Sequence, residues 1–164
     1  MKSKFYIDET AIVDQNVKIG DNTKIWHWTH ISAGASIGKN CTIGQNCFVG
    51  KNVRIGNNCK IQNNVSIFEG VELANDIFIG PSVTFTNVKS PRSFINQKNK
   101  FNKTKIKKGC TIGANATIVC GINLDQYSFI GAGSVVTKSV KKNEIVFGNP
   151  AKIQGSVTKK GKKI

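Results

Sequence analysis

"IGKNCTIGQNCFVGKNVRIGNNCKI", residues 37–61, returns an aliphatic side chain at every sixth position: Ile37, Ile43, Val49, Ile55 and Ile61. The beat holds outward in both directions, through Ile31, Ile25, Ile19, Val13 and Ile7 on one side and Ile67, Leu73, Ile79 and Phe85 on the other. Four residues after each beat sits a small or β-branched residue, such as Ala35, Cys41, Val53 or Val65, and glycine often follows the beat directly, as at Gly38 and Gly44. A period of six fits neither the i, i+3, i+4, i+7 spacing of an amphipathic helix nor the alternation of long strands. It fits a parallel β-helix, in which each hexapeptide makes one short strand and one corner while the beat residues stack inside. Glycine tolerates a tight corner, and β-branched residues suit the strands.

The beat stops in "TFTNVKSPRSFINQKNKFNKTK", residues 84–105, and resumes in a shifted register at Ile106, Ile112, Ile118, Leu124, Ile130 and Val136. An irregular insertion in so regular a chain is where function is expected, because binding and catalytic residues concentrate on loops held by a rigid scaffold.

Length and a 39% hydrophobic content suit one globular domain. The opening "MKSKFYIDETA" has no apolar core of a signal peptide, and no apolar run approaches the ~20 residues of a membrane span, so a cytoplasmic protein without membrane insertion is expected. Of five cysteines, Cys41, Cys47, Cys59 and Cys110 take the small-residue position and read as core thiols; no CxxC pair points to metal or redox work. Cys120, two places after Ile118, falls outside that rule.

The net charge of +15 is unevenly spread: residues 1–88 carry eight Lys and Arg against seven Asp and Glu, and residues 89–164 carry sixteen against two. A basic surface attracts polyanions. Nucleic acid is disfavoured as partner because aromatics are not interleaved with the basic residues as a stacking platform requires. A phosphate-bearing coenzyme or sugar exploits the same field, while the runs "QKNKFNKTKIKK" and "VTKKGKKI" read as solvated faces. No metal is expected, since the chain has two histidines, both in "IWHWTH", and a zinc site wants three or four ligands.

Five stretches carry a more specific resemblance: "KIWHWTHI", "CKIQNNVSIFEGV", "GPSVTFTNVKSPRS", "GANATIVCGI" and "VFGNPAK". In this order, over residues 6 to about 155, the chain resembles the hexapeptide-repeat sugar-nucleotide N-acetyltransferases that acetylate a 3-amino group. The resemblance implies an all-β, left-handed parallel β-helix with three hexapeptides per coil, so that the twenty repeats make between six and seven coils. It implies an acyltransferase domain over 1–155, interrupted by an active-site loop at about 86–105, and a basic tail over 156–164. It further implies a homotrimer, acetyl-CoA as cosubstrate, and a nucleotide-linked amino sugar: a dTDP-3-amino-3,6-dideoxyhexose destined for surface glycan, or a UDP-linked 3-amino uronic acid.

Within that frame Asn87, at the loop root, is expected to orient the sugar amine through its amide oxygen; the competing reading is a turn cap. Glu69, one coil below Asn87, is a candidate for a sugar hydroxyl, and Arg92 for a phosphate. Gln62, Asn63 and Asn64 are candidates for sugar or base contacts, or else members of a corner ladder. For acetyl-CoA, small residues that let the pantetheine arm approach backbone amides are expected at Gly113, Ala114, Gly131, Ala132 and Gly133, with Lys138 and Lys152 for its phosphates. The glycines equally suit corners. His27 and His30 fall three coils below the loop root, ~14 Å away at the spacing of adjacent strands. The alternative of another class is a noncatalytic basic β-helix binding nucleic acid or an anionic glycan.

Overall fold

The computed structural model, which describes residues 4–98 and 100–164, winds short strands into a three-sided parallel β-solenoid. Its first face stacks parallel strands from Tyr6–Ile7, through Lys24–Ile25, Thr42–Ile43, Lys60–Ile61, Phe78–Ile79, Thr111–Ile112 and Phe129–Ile130, to Glu144–Phe147. Lys152–Ser156 adds an antiparallel strand at that end. The second face runs from Ile12–Val13 to Val135–Val136 and the third from Lys18–Ile19 to Asn123–Leu124. The eight parallel tiers of the first face exceed the six to seven coils expected from the repeats. The excess arises because Val140, bridged to Leu124, and Val146, paired with Ile130, continue the columns out of the six-residue step. Among the described residues there is no helix, and none long and apolar enough to cross a membrane.

The beat residues make the core. Ile25, Ile43, Ile61, Ile79, Ile112 and Ile130 form one column with no solvent exposure, and burying such a side chain contributes about 1.5–3 kcal/mol. Two devices satisfy the corners. On the outside, asparagines in the left-handed region, which they tolerate better than most residues, bond tier to tier: Asn22 donates to Asn40, Asn40 to Asn58, and Asn58 to Asp76. On the inside, Thr23 and Thr29 donate to the Gly38 and Gly44 carbonyls, while the thiols of Cys41, Cys47 and Cys59 donate to those of Gly56, Gln62 and Ala74. The small-residue position thus holds hydroxyl or thiol donors that cap the next tier, which accounts for its cysteines. All five cysteines are free and buried, and burial pushes the Cys47 and Cys110 thiols up.

The three outer faces differ. The first carries Lys24 and Lys60, and the third Lys18, Arg54, Glu72 and Lys105. The second presents Ile12, His30, Phe48, Ser66, Thr84, Thr117 and Val135, with no Lys, Arg, Asp or Glu among them.

Among the described residues no strand lies between Thr84–Phe85 and Thr104–Ile106, yet the tiers stay in step: Val71 pairs with Thr104 and Leu73 with Ile106. The Asn102 N–H donates to the Asn87 carbonyl across the base of this excursion. Above it, the Thr86 and Thr104 hydroxyls accept from the Cys120 and Gly121 N–H groups.

Thr29→Val should lower stability by about 1 to 3 kcal/mol in urea unfolding, because it strands the buried Gly44 carbonyl and Cys47 N–H that the hydroxyl now serves. Asn46→Gly, which removes an exposed ladder bond but tolerates the positive φ, should cost under about 1 kcal/mol.

Candidate active site

The candidate residues sort onto corners. Asn87 and Glu69 share the second corner, between the second and third faces, one tier apart as the pairing of Ser66 with Thr84 requires. Asn87 is half-buried, its φ is not positive, and its side-chain amide makes no hydrogen bond among the described residues. It does not cap a turn; only its backbone carbonyl is used there. Next to it, Glu69 lines a cavity of about 370 Å³ with Asn52, Gly70, Glu72, Phe101 and Lys103. Phe101 and Lys103, on the returning limb of the excursion, carried no signal in the sequence, because only folding lays that limb beside Glu69. The Arg92 side chain is exposed and donates to the Pro91 carbonyl.

Gln62, Asn63 and Asn64 lie instead on the first corner, between the first and second faces, so one chain does not bring them to Asn87. Two of them serve the ladder: Asn63 Oδ1 accepts from the Gln45 N–H, and Asn64 Oδ1 from the Asn46 amide. Above Asn63 the same column holds Pro81, Ala114 and Ala132, none of which offers a side-chain acceptor. The N–H groups of Ala114 and Ala132 consequently make no hydrogen bond among the described residues. Gly113 beside them is required by packing, since a Cβ there would sit 2.5 Å from the Ala132 nitrogen. Gly131 is likewise crowded by Phe147, whereas Gly133 has φ +67° and open space around it. Lys138 and Lys152 meet in one cavity of about 300 Å³ near the end of the solenoid.

The first corner also holds a cluster that the sequence did not reveal. Asp8, 7% exposed, accepts from the Tyr6 hydroxyl and from the N–H and hydroxyl of Thr10, and lies 3.2 Å from His27 Nε2. Its carboxyl is held below the usual range, chiefly by the Thr10 N–H and then by the Thr10 hydroxyl. The Trp26 and His27 rings stack at 6.0 Å. Trp28 occupies, at φ 53°, the corner position that Asn46 and Asn64 take above it, and stays 64% exposed. A bulky side chain in that conformation is strained, and packing does not compensate an exposed ring. His30 faces outward from the second face, 3.1 Å from Asp14 Oδ1 and edge-on to Phe48. Both histidines lie three tiers below Phe85.

The family described as bacterial transferase hexapeptide (six repeats) matches residues 16–51, and the hexapeptide repeat of succinyl-transferase matches residues 34–69 and 103–138; together they cover more than half of the chain. The chain belongs to the bacterial hexapeptide-repeat transferases. Among individual members of this family, it is 47% identical over 57 residues to a dTDP-3-amino-3,6-dideoxy-alpha-D-galactopyranose 3-N-acetyltransferase of Aneurinibacillus thermoaerophilus, covering 35% of this chain and 30% of that protein. It is 38% identical over 92 residues to a serine acetyltransferase of Buchnera aphidicola, covering 56% of this chain and 31% of that protein. The hexapeptide chain thus spans under a third of the length of these curated relatives. In fold it is similar to a variant of AntD, an N-acyltransferase from Bacillus cereus in complex with dTDP and coenzyme A, with a TM-score of 0.68 at 20% identity over 95% of this chain and 84% of that one. PerB from Caulobacter crescentus, in complex with CoA and GDP-perosamine, gives a TM-score of 0.57 at 20% identity over 91% of this chain and 56% of that one.

Asp8 supplies a pH test of the first-corner cluster. A lowered folded-state pKa contributes stability that is present above the ordinary carboxylate range and is lost as pH falls through the folded value. Carboxyl NMR titration should place Asp8 below an ordinary aspartate. Thr10→Val, which removes the donating hydroxyl, should raise that pKa and reduce the share of stability that is lost in acid.

Proposed function

We propose that this protein transfers an acetyl group from acetyl-CoA to the 3-amino group of a nucleotide-linked sugar, a dTDP-3-amino-3,6-dideoxyhexose in the first instance, as a left-handed β-helical homotrimer. The observation that carries the reading is Asn87: a half-buried amide without a partner among the described residues, at the root of an excursion from a regularly bonded wall. The Aneurinibacillus relative supports the substrate class and the fold of AntD supports the scaffold.

Assembly follows from the uncharged second face. On a chain of net charge +15, a face without formal charge, with Ile12 exposed and Phe48 half-buried on it, is the one that can be buried at low desolvation cost. Three copies packed around a threefold axis through that face make heterologous contacts that close. The first corner of one copy then meets the second corner of the next, which brings Gln62, Asn63, Ala114 and Ala132 opposite Asn87, Glu69 and Arg92. The residues that one chain holds apart become two walls of one groove.

Acetyl-CoA fits the first wall: the free N–H groups of Ala114 and Ala132 suit the carbonyls of a pantetheine arm, and Gly113, Gly131 and Gly133 keep the approach open. Lys138 and Lys152 are placed for its phosphates. Trp28, exposed three tiers below, offers a stacking surface to the nucleotide base. Asn87 accepts a hydrogen from the sugar amine and points its lone pair at the acetyl carbonyl. The N–C bond forms, the C–S bond breaks, and the ammonium proton passes to the departing thiolate. An amine of pKa ~8 and a thiol of pKa ~8.5 make that exchange feasible without a histidine, in keeping with the position of His27 and His30.

Thiol release from acetyl-CoA in the presence of dTDP- and UDP-linked 3-amino sugars tests the reading, and no release with either overturns it. Asn87→Ala should lower kcat/KM about 10- to 100-fold, the loss of one hydrogen bond of ~1 to 3 kcal/mol. Asn87→Asp keeps the acceptor but raises the amine pKa by its charge, so activity should fall at pH 7 and partly recover as pH rises. Full activity of the Asp variant at pH 7 sinks the role given to Asn87.

The packing face has its own check in light scattering. Phe48→Glu should dissociate the trimer, whereas Lys60→Glu on the first face should leave it intact.

A further inference from the structure

The basic end of the chain is left unused by this reading. Val157 and Asn143 exchange backbone hydrogen bonds through the Val157 N–H and, from the Asn143 side chain, to the Val157 carbonyl. Beyond them residues 158–162 turn tightly: the Thr158 N–H donates to the Lys162 carbonyl, and the Thr158 hydroxyl accepts from the Lys162 N–H. The Ile164 N–H closes onto the Ser156 carbonyl. Lys159 lies 5.3 Å over the Tyr127 ring. The segment is therefore a hairpin held against the third corner, between the third and first faces.

This hairpin concentrates charge. Lys159, Lys160, Lys162 and Lys163 are exposed on it, with Lys141 and Lys142 exposed on the corner beneath. Among the described residues none of the six is paired with a carboxylate, in contrast to Lys107 and Lys108 lower on the same corner, which are bound to Asp125 and Asp76. Glu144, the one acid in residues 126–164, is turned to the Lys141 N–H. Two exposed aliphatic side chains lie at this end of the solenoid: Ile164, 78% exposed, closes the hairpin, and Ile153, 65% exposed, borders the cavity of Lys138 and Lys152.

We propose that this end of the solenoid docks on an anionic lipid bilayer surface, the lysines at the headgroups and Ile153 and Ile164 dipping into the interface. Clustered lysines beside exposed apolar tips suit a bilayer, where both contribute. A nucleic acid would use neither isoleucine, and Lys159 already occupies one face of the Tyr127 ring. The third corner lies opposite the uncharged second face, so the patch stays accessible in a threefold assembly and all three hairpins sit at one end of it. The inference does not depend on the acetyl-transfer reading.

The test is sedimentation with vesicles of phosphatidylcholine alone or mixed with phosphatidylglycerol. The protein should bind the mixed vesicles, not the neutral ones, and release them when salt rises from about 0.1 M to about 0.5 M. Each lysine near an anionic surface adds about fivefold in affinity. The combination Lys159→Glu, Lys160→Glu, Lys162→Glu and Lys163→Glu should therefore weaken binding at least about 100-fold, with the melting temperature unchanged. If that variant misfolds, the four Lys→Gln changes must give the loss in a folded protein. The same charge reversal at Lys4, Lys18, Lys24 and Lys51 should leave binding within about threefold. Ile153→Ser with Ile164→Ser should weaken it several-fold at every salt concentration. Absence of vesicle binding, binding that survives reversal of the hairpin lysines, or retention of a DNA duplex in place of vesicles overturns the proposal.

Discussion

The structure depends on the hydrogen bond that each tier makes to the one above it. Gly44 donates to Ile61, Gln62 to Ile79, Gly80 to Ile112 and Gly113 to Ile130, so each residue lies over the one a full turn away. The interaction is local to neighbouring tiers, and it converts a one-dimensional repeat into columns. An isoleucine in a column buries against isoleucines above and below, and a corner asparagine finds its partner in the next corner. Any residue that leaves its column loses both its packing and its polar partner. That double cost explains why the chain restarts in the same columns after residues 86–103, with Leu73 under Ile106 and Phe85 under Ile118.

The proposed site residues sit where this bonding is incomplete. In the lower tiers corner N–H groups are taken up by asparagine oxygens, as Gln45 is by Asn63 and Asn57 by Asn75. At Ala114 and Ala132 the oxygens are missing. At Asn87 the reverse holds, a side-chain amide present without a hydrogen-bond partner among the described residues, although Cys120 lies in the tier above. The wall is a rigid scaffold with two local vacancies of opposite kind, one offering N–H donors and one an amide, on the two corners that flank its uncharged face. Preorganised groups of this sort need no rearrangement to meet a ligand, which is what orientation catalysis asks of a protein.

Charge is divided along the same geometry. The second face carries none, the lower tiers are nearly balanced, and the unpaired lysines collect on the third corner at the far end. Separation of this kind keeps the proposed assembly face, the proposed groove and the basic shoulder on different parts of a small chain. The groove and the shoulder draw on the same positive field but on different lysines, Lys138 and Lys152 against Lys159, Lys160, Lys162 and Lys163.

The sequence by itself determined the solenoid, its core columns and the buried thiols, because in a parallel repeat each residue's environment follows from its place in the six-residue step. Glu69 beneath Asn87 and the histidines three tiers below were legible for the same reason. Where the step fails, only the tertiary structure decides. Val140 continues the third face and Val146 builds the eighth tier of the first, both out of phase, Phe101 and Lys103 reach Glu69 on a returning limb of irregular chain, and Lys138 meets Lys152 across a strand reversal. Asp8 finds His27 through side-chain geometry that no spacing encodes. The same limit applies to Asn63 and Asn87, which fall on different corners: periodicity gives the tier and the corner, but whether two corners share a groove depends on which face is covered, a property of surface chemistry summed over the whole solenoid.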